Sequence, residues 1–436
     1  MTGARAKGAA TAARWIVTAV VTGALGALLV AGFDRSLDFL LSLAASTPRA
    51  GAFAPAAGAL LVGLSIITWK PGAGGEGIPS YLVAVNRGRG RLGTAETILK
   101  FPATVVTLGS GCSGGIVGPL ARMGAGIGSI VTRLLSRIGL AGEGDMRTAT
   151  LCGASAAVSA IFHSPLGGAF FAAEILRRES MRYADIFPAL LAGIASYATS
   201  AALLGEAPVF RVPPAAGPAA GIDHLWMPLA ALLSGAAGML FILLFRRARD
   251  LLHRLPGGAP SRTLLAGIVV SVILLAGGGA VSSVSMDFFA DIAAGRFAGG
   301  TGAGPVLLLA GLLLLKIVAV SITVGSGLSG GFTGPLVIFG IGGGALVAGA
   351  AGIDPGTGSW AGLLACGMAA SLGAVMNIPV AAVLITVAVF GAQTIIPSAM
   401  GGLIAFVCFR SRTIYEYALA PVDGDTRDIL ERYAAD

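Results

Sequence analysis

Long runs of apolar residues recur along the whole chain, and short glycine-rich or basic segments separate them. The runs fall at about residues 15–33, 51–69, 149–175, 186–204, 226–245, 263–282, 305–324 and 395–409. Several match the roughly 20 residues that a membrane-spanning helix needs, whereas others are shorter or are broken by Gly and Pro. The pattern predicts an all-α polytopic membrane protein in which some helices are short or interrupted.

The composition also indicates that the chain folds in a membrane. Hydrophobic residues make up 55% of the 436 residues and charged residues only 11%, with a mean hydropathy of +0.86. So few charges do not cover a water-soluble surface of this size. The first apolar run follows three basic residues, as a secretory signal does, but its length and the lack of a small-residue cleavage site favour a retained helix.

The net charge of +8 comes from basic clusters between apolar runs. The positive-inside rule places these clusters on the cytoplasmic side. Topology explains the charge better than nucleic-acid binding does, because no aromatic residues interleave with the clusters. Helical runs without barrel-type alternation favour the inner membrane of a bacterial cell. The four cysteines lack CxxC spacing and the histidines are scattered, so we predict no metal site, no cofactor and no enzyme activity.

Two segments nearly repeat each other. GSGCSGGIVGPLARMGAGIG at 109–128 and GSGLSGGFTGPLVIFGIGGG at 325–344 agree at twelve of twenty positions. Lys100 and Lys316 precede them at the same offset of 216, and Pro165 aligns with Pro379 at an offset of 214. The duplication predicts four parts: a cytoplasmic N-terminal tail at 1–14, a first membrane repeat at 15–220, a second at 221–421, and a short cytoplasmic C-terminal tail at 422–436.

Each copy is a Gly/Ser run that ends in Gly-Pro and opens an apolar helix. The start of such a helix presents unpaired N–H groups and a positive dipole end, which suits an anion. Two copies in opposed halves aim two such ends at one midplane site, as in inverted-repeat transporters. A dinucleotide fingerprint is disfavoured because the GxGxxG match has no βαβ context. Close helix packing explains the trailing glycines but not why a whole loop with its proline occurs twice.

Four separated elements resemble the CLC family of chloride channels and anion/proton exchangers. GEGIP at 75–79 resembles the family's GSGIP, GIVGP at 115–119 resembles GREGP, and GFTGP at 331–335 resembles GxFxP. Tyr415 falls where the family carries its pore tyrosine. SPLGGAFFAAE at 164–174 also resembles the segment with the internal proton-pathway glutamate.

The resemblance implies a CLC-type inverted repeat of tilted and broken helices, assembled as a homodimer with one pore in each subunit. It implies chloride or another small inorganic anion as the transported species and the lipid bilayer as its surroundings. Because the sequence ends about twenty residues after Tyr415, we expect no regulatory CBS domains. The anion site that the resemblance implies comprises Glu76, Gly77, Ile78, Pro79, Ile116, Val117, Gly118, Phe332, Thr333 and Tyr415.

Two departures from the family concern protons. Val117 stands where the family has its gating glutamate, and it neither ionises nor accepts a proton. By the ungapped alignment, the internal proton glutamate falls at Ile175, while Glu174 matches its neighbouring acid; a one-residue slip would hand the role to Glu174. With both standard carboxylates replaced, the sequence favours a passive channel that is uncoupled from protons. Thr333 in place of a family phenylalanine suggests a wider or more polar path.

Glu76 is the third departure, because the family usually has Ser there. An ionised carboxylate beside a permeating anion repels it by several kcal/mol, even at an effective dielectric constant of about 20. Glu76 is therefore neutral, turned away or alternating between positions. A neutral Glu76 replaces the serine hydroxyl as a donor, whereas an alternating one acts as the gate. Lys100 is a candidate partner, although Glu96 and Lys100 are spaced for a pair on one helix face.

Three functions follow in order of preference. The first is the passive CLC-type anion channel. The second is an anion/proton antiporter in which Glu76 serves as both gate and proton carrier. The third is a membrane scaffold that retains the fold but conducts nothing.

Overall fold

The fold, seen in a computed structural model, is an assembly of helices in two halves. The structure describes residues 2–46, 51, 53–177, 181–205, 210, 212, 217, 221–298 and 304–415. The first half contains α1 (Thr2–Ala45), α2 (Ala54–Val62), α3 (Ile78–Asn86), α4 (Thr94–Gly109), α5 (Val117–Arg137), α6 (Met146–Phe162), α7 (Pro165–Glu174) and α8 (Tyr183–Leu204). The second contains α9 (Met227–Leu252), α10 (Gly258–Gly277), α11 (Met286–Ala293), α12 (Gly304–Gly325), α13 (Thr333–Ala350), α14 (Gly358–Met376), α15 (Pro379–Phe390) and α16 (Ile395–Phe409).

Within the residues that the structure describes, eight helical segments are long and apolar enough to span a membrane, and shorter apolar helices accompany them. The predicted all-α membrane fold with broken helices is thus confirmed, although individual runs differ. The run at 149–175 is two helices, α6 and α7, separated at His163. Thr333–Ala350 is the apolar helix predicted to follow GFTGP, and Gly358–Met376 is a further span outside the predicted apolar runs. The helix α1 begins within the predicted tail 1–14, and the predicted tail 422–436 lies outside the described residues.

The two halves are related by an approximate two-fold axis. Gly115 and Gly331 are equivalent by the 216-residue offset, and each donates its N–H to the other's carbonyl, at 2.8 and 2.6 Å. Such reciprocity is the signature of a two-fold relation. Equivalent helices also meet across the axis, α2 against α10 and α7 against α15. The duplicated sequence therefore folds as an inverted repeat.

Equivalent residues shape both halves locally. His163 and Asn377 end α6 and α14 in left-handed conformations, with φ of 49° and 60°. A proline follows two residues later and opens the next helix, where its missing N–H costs no hydrogen bond. Gly124 on α5 faces Gly153 on α6, as Gly340 on α13 faces Gly367 on α14. A Cβ on any of the four glycines would collide with the facing helix backbone, so these glycines permit close packing.

Candidate functional site

The glycine-rich loop before α3 brings Glu76 to the centre of the molecule. Gly77 has a φ of 100°, and a Cβ on it would lie only 2.7 Å from Lys100 Cε and 2.9 Å from Arg122 Cβ. Both the backbone conformation and the lack of space require glycine. The resulting turn directs the Ile78 N–H back to Glu76, where it donates to Oε2 at 2.8 Å.

The Glu76 carboxylate is held by groups from three separate parts of the chain. Besides Ile78, the Tyr415 hydroxyl donates to Glu76 Oε1 at 3.0 Å, and the main-chain N–H of Phe332 lies near the carboxylate. Glu76 is only 5% exposed and Tyr415 1%. We call this donor set, the N–H groups of Ile78 and Phe332 with the O–H of Tyr415, the cradle. Two helix starts and a phenol hydroxyl bind negative charge, and here these donors face the Glu76 carboxyl group.

The first residues of α5 complete this region. A Cβ on Gly118 would collide with the Glu76 carboxylate, so the absent side chain lets Glu76 lie against the helix start. Ile116 and Val117 are buried, and Val117 has no exposed surface. Thr333 opens α13 in the equivalent position and directs its hydroxyl to Met376 Sδ at 3.6 Å, away from the cradle.

Tyr415 is positioned by the segment just before it. The Ile414 N–H and the Thr413 hydroxyl both donate to the carbonyl of Val375, at 3.0 and 2.8 Å. An Arg246 guanidinium nitrogen donates to the Thr413 carbonyl at 3.1 Å. These bonds fix the segment after α16 to the end of α14, so the phenol hydroxyl reaches the cradle from a supported position.

Two buried cations flank the Glu76 loop. Lys100 has no exposed surface, and its Nζ donates to the carbonyls of Ala73, Gly74 and Gly75, at 3.4, 2.8 and 3.0 Å. The alternative pairing of Lys100 with Glu96 is not the one its Nζ makes. Glu96 instead lies 3.5 Å from Arg122.

Arg122 is the site residue that the sequence analysis missed. It is fully buried on α5, and it donates to Ser80 Oγ at 2.8 Å and to Thr97 Oγ1 at 2.9 Å. A signal for it was present, because Arg122 stands where the second copy of the repeat has Ile338. A charged residue in only one copy of an otherwise apolar repeat indicates a role that the other copy does not have.

The remaining acidic candidate lies apart from the cradle. Both oxygens of Glu174 accept main-chain N–H groups at the start of α15, from Val380 at 3.1 Å and Ala381 at 2.8 Å. Glu174 therefore caps a helix N-terminus, where a negative charge is favourable. Ile175 beside it is buried in the apolar core. Of the predicted residues, the structure brings together Glu76, Gly77, Ile78, Gly118, Phe332 and Tyr415.

A vestibule leads to Glu76 from one side. Its lining includes the glycine loop, Pro79, Phe332 and three basic side chains, Arg249, His253 and Arg262. The arrangement has the elements of an anion pathway: a basic entrance followed by a buried donor set.

Most of the chain matches one family of known proteins. Residues 58–410 match the family model described as voltage gated chloride channel. The chain is 28% identical over 222 residues to a putative chloride channel protein ClcB-like from Ralstonia nicotianae, which covers 50% of this chain and 51% of that protein. It thus spans about half the length of that relative.

A second relative and a solved structure extend the match. The H(+)/Cl(-) exchange transporter ClcA of Yersinia pseudotuberculosis is 27% identical over 343 residues, covering 74% of this chain and 69% of that protein. The crystal structure of a slow cyanobacterial Cl-/H+ antiporter superposes with a TM-score of 0.79 at 19% identity, covering 97% of this chain and 98% of that one. That likeness concerns the fold.

Proposed function

The chain belongs to the CLC family of voltage-gated chloride channels and transporters, and from this premise we propose that it conducts small inorganic anions passively, with Glu76 as the gate. The observation that carries the proposal is the Glu76 carboxylate in the cradle. An ionised Glu76 uses the donors that an anion needs, so the two compete for one site. A protonated Glu76 no longer competes as an anion and leaves the cradle to the permeating ion.

The absence of titratable groups at two positions supports passive conduction. Coupled exchange needs protonatable groups along a path. Val117 and Ile175 do not titrate, and Glu174 is engaged by the first N–H groups of α15. Glu76 itself borders the vestibule.

An anion/proton antiporter is the second candidate, and the same carboxylate favours it. A glutamate that alternates between the cradle and a protonated position outside it carries one proton for each excursion. The name of the ClcA relative points in the same direction. The third candidate is a scaffold that conducts nothing, and it does not explain why the donors of the cradle converge on one site.

Reconstituted liposomes with a chloride gradient test these functions. Chloride efflux and external pH are recorded together, with and without a potassium ionophore. Efflux that requires the ionophore and moves no protons supports the passive channel, whereas proton movement driven by the chloride gradient supports the antiporter. Purified protein that passes none of chloride, nitrate, fluoride and bicarbonate supports the scaffold.

Glu76→Gln tests the gate directly. We expect chloride flux at neutral pH to rise about tenfold, since the amide no longer competes with charge-assisted hydrogen bonds. Flux through the wild-type protein should increase on acidification, and that increase should vanish in the variant. Glu174→Gln is the matched control and should change neither flux nor its pH dependence. A Glu76→Gln variant with wild-type flux and pH response would rule out the gate.

We further propose that the protein is a homodimer. Large apolar side chains remain exposed on the outer faces of α8 and α16, among them Tyr183, Phe187, Ile194, Leu403 and Val407. A second copy or lipid covers such a surface in a membrane. Mass measurement of the protein in lipid nanodiscs distinguishes one subunit from two.

A further inference from the structure

A groove of about 450 Å³ lies between the second half of α9 and the end of α16. Leu240 and Leu243 line it from α9, and Cys408 and Phe409 line it from α16. Leu243 and Cys408 are exposed, so the groove opens at the outer surface of the protein. Both helices belong to candidate membrane spans, and an apolar groove at this level is open to the bilayer.

One end of the groove is basic. Arg246 on α9 and Arg412, just beyond α16, line it together with Ser411. Arg246 is half buried and Arg412 is exposed, near the ends of the two spans. The positive-inside rule places this end on the cytoplasmic side, where the membrane surface carries anionic lipid headgroups. The groove therefore combines apolar walls with two guanidinium groups at the height of the headgroups.

Arg246 also supports the segment that leads to Tyr415. Its Nη2 donates to the carbonyl of Thr413 at 3.1 Å, and Thr413 is buried. This bond holds the guanidinium at the groove, which lowers the entropy lost when it binds a ligand. A negative group on Arg246 would therefore lie beside the segment that positions the phenol of the cradle.

We propose that this groove binds one anionic phospholipid, with the phosphate on the guanidinium groups of Arg246 and Arg412 and an acyl chain along Leu240 and Leu243. The inference is independent of the proposed function, because it concerns the outer surface and not the anion pathway. Guanidinium groups bind phosphate through paired, charge-assisted hydrogen bonds. The apolar walls favour a lipid over inorganic phosphate, since only a hydrocarbon chain gains free energy by covering them.

Competition between two lipids tests the basic end of the groove. The full-length protein in mild detergent is incubated with equal amounts of phosphatidylglycerol and phosphatidylcholine, and native mass spectrometry counts the lipids that it retains. The wild-type protein should prefer phosphatidylglycerol, and Arg246→Gln and Arg412→Gln should each lower its retention about fivefold, the loss expected for one basic residue at an anionic lipid. Arg247→Gln is the matched control: it loses the same charge next to Arg246, but its side chain is exposed and lies outside the groove, so retention should stay within about 1.5-fold of the wild-type value. Equal retention of the two lipids by the wild-type protein, or of phosphatidylglycerol by the Arg412 and Arg247 variants, would overturn the site.

Cys408 provides a second measurement inside the groove. It is exposed, whereas Cys112, Cys152 and Cys366 are buried, so a maleimide should label Cys408 selectively. Labelling should be about fivefold slower in nanodiscs that contain phosphatidylglycerol than in phosphatidylcholine alone, and Arg412→Gln should remove the difference. Inorganic phosphate should give no protection, because it leaves the apolar walls uncovered; protection by inorganic phosphate would overturn the lipid in favour of a free anion. Labelling that is equally slow in both kinds of nanodisc would show that protein covers the groove and would also overturn the proposal.

Discussion

The loops before α3 and α11 occupy equivalent places in the two halves, yet only one of them carries an acid. Each loop is fastened by a buried lysine: Lys100 to three carbonyls, and Lys316 to the Ser283 carbonyl and the Ser285 hydroxyl, at 2.8 and 2.7 Å. Two residues before each helix stands Glu76 in the first half and Val284 in the second. The duplicated residues build the frame, and the single-copy residues supply the chemistry.

A second asymmetry accompanies the first. Arg122 lies on α5 beside the Glu76 loop, where α13 has Ile338. The first half therefore places two buried cations around its one buried carboxylate in the cradle. Arg122 donates to Ser80 and Thr97 and faces Glu96, so it is paired and hydrogen-bonded as a buried charge requires. Substitutions at equivalent positions in the two halves therefore distinguish the contribution of the shared structure from the contribution of Glu76.

The buried lysines should give the largest difference. Lys100→Met leaves three loop carbonyls without their donor and removes a buried cation from the Glu76 loop, so we expect a loss of about 3–5 kcal/mol in the free energy of unfolding. Lys316→Met should cost about 1–3 kcal/mol, because Ser285 keeps hydrogen bonds to the carbonyls of Ala280 and Ser282. Reversible denaturation in mixed micelles measures both values.

A double-mutant cycle shows whether Glu76 causes the difference. Adding Glu76→Gln to Lys100→Met should recover about 1–3 kcal/mol of the loss. The same addition to Lys316→Met should recover nothing. Equal losses in the two single variants, with no coupling to Glu76, would mean that the cost is that of burying any lysine.

The paired glycines should behave alike instead. A Cβ on Gly115 would lie 2.9 Å from the Gly334 nitrogen, and one on Gly331 would lie 2.8 Å from the Gly118 nitrogen. We expect Gly115→Ala and Gly331→Ala each to cost about 1–3 kcal/mol through overpacking, with values that agree within error. Gly311→Ala on α12 is the control, since that position has open space and alanine favours a helix. Unequal costs at the pair would contradict the approximate two-fold axis.

The sequence predicted the membrane fold better than it predicted the functional site. Composition and the repeat were enough for the membrane fold, because apolar runs and glycine-proline helix starts are local signals. The conformation of Glu76 was left open between neutral, turned away and alternating, since it depends on Phe332 and Tyr415, which lie more than 250 residues away in the chain. Arg122 was missed because its role depends on Ser80 and Thr97, which lie on other helices.

The boundary at His163 is also a local signal. The apolar run at 149–175 contains a predicted helix break at FHSP, and a left-handed residue and the proline that follows divide the run there into α6 and α7. Hydropathy alone averages over such a break and does not register it. The aligned NIP segment has the same break at Asn377.

Tyr415→Phe should have the smallest effect. Whether it changes the half-saturating chloride concentration or the pH of half-maximal flux tests whether Glu76 and the anion share the cradle. The phenol hydroxyl donates to whichever negative group is present, so its loss weakens both by about 1 kcal/mol. At acidic pH, where Glu76 is protonated and has left the cradle, the half-saturating chloride concentration should therefore rise about fivefold. The pH of half-maximal flux should barely move, because the competition itself is unchanged at saturating chloride. If the hydroxyl served Glu76 alone, the pH of half-maximal flux would shift while chloride affinity stayed constant. Recording both quantities in one liposome series distinguishes the two cases, with Tyr197→Phe, remote in sequence from the cradle, as the control.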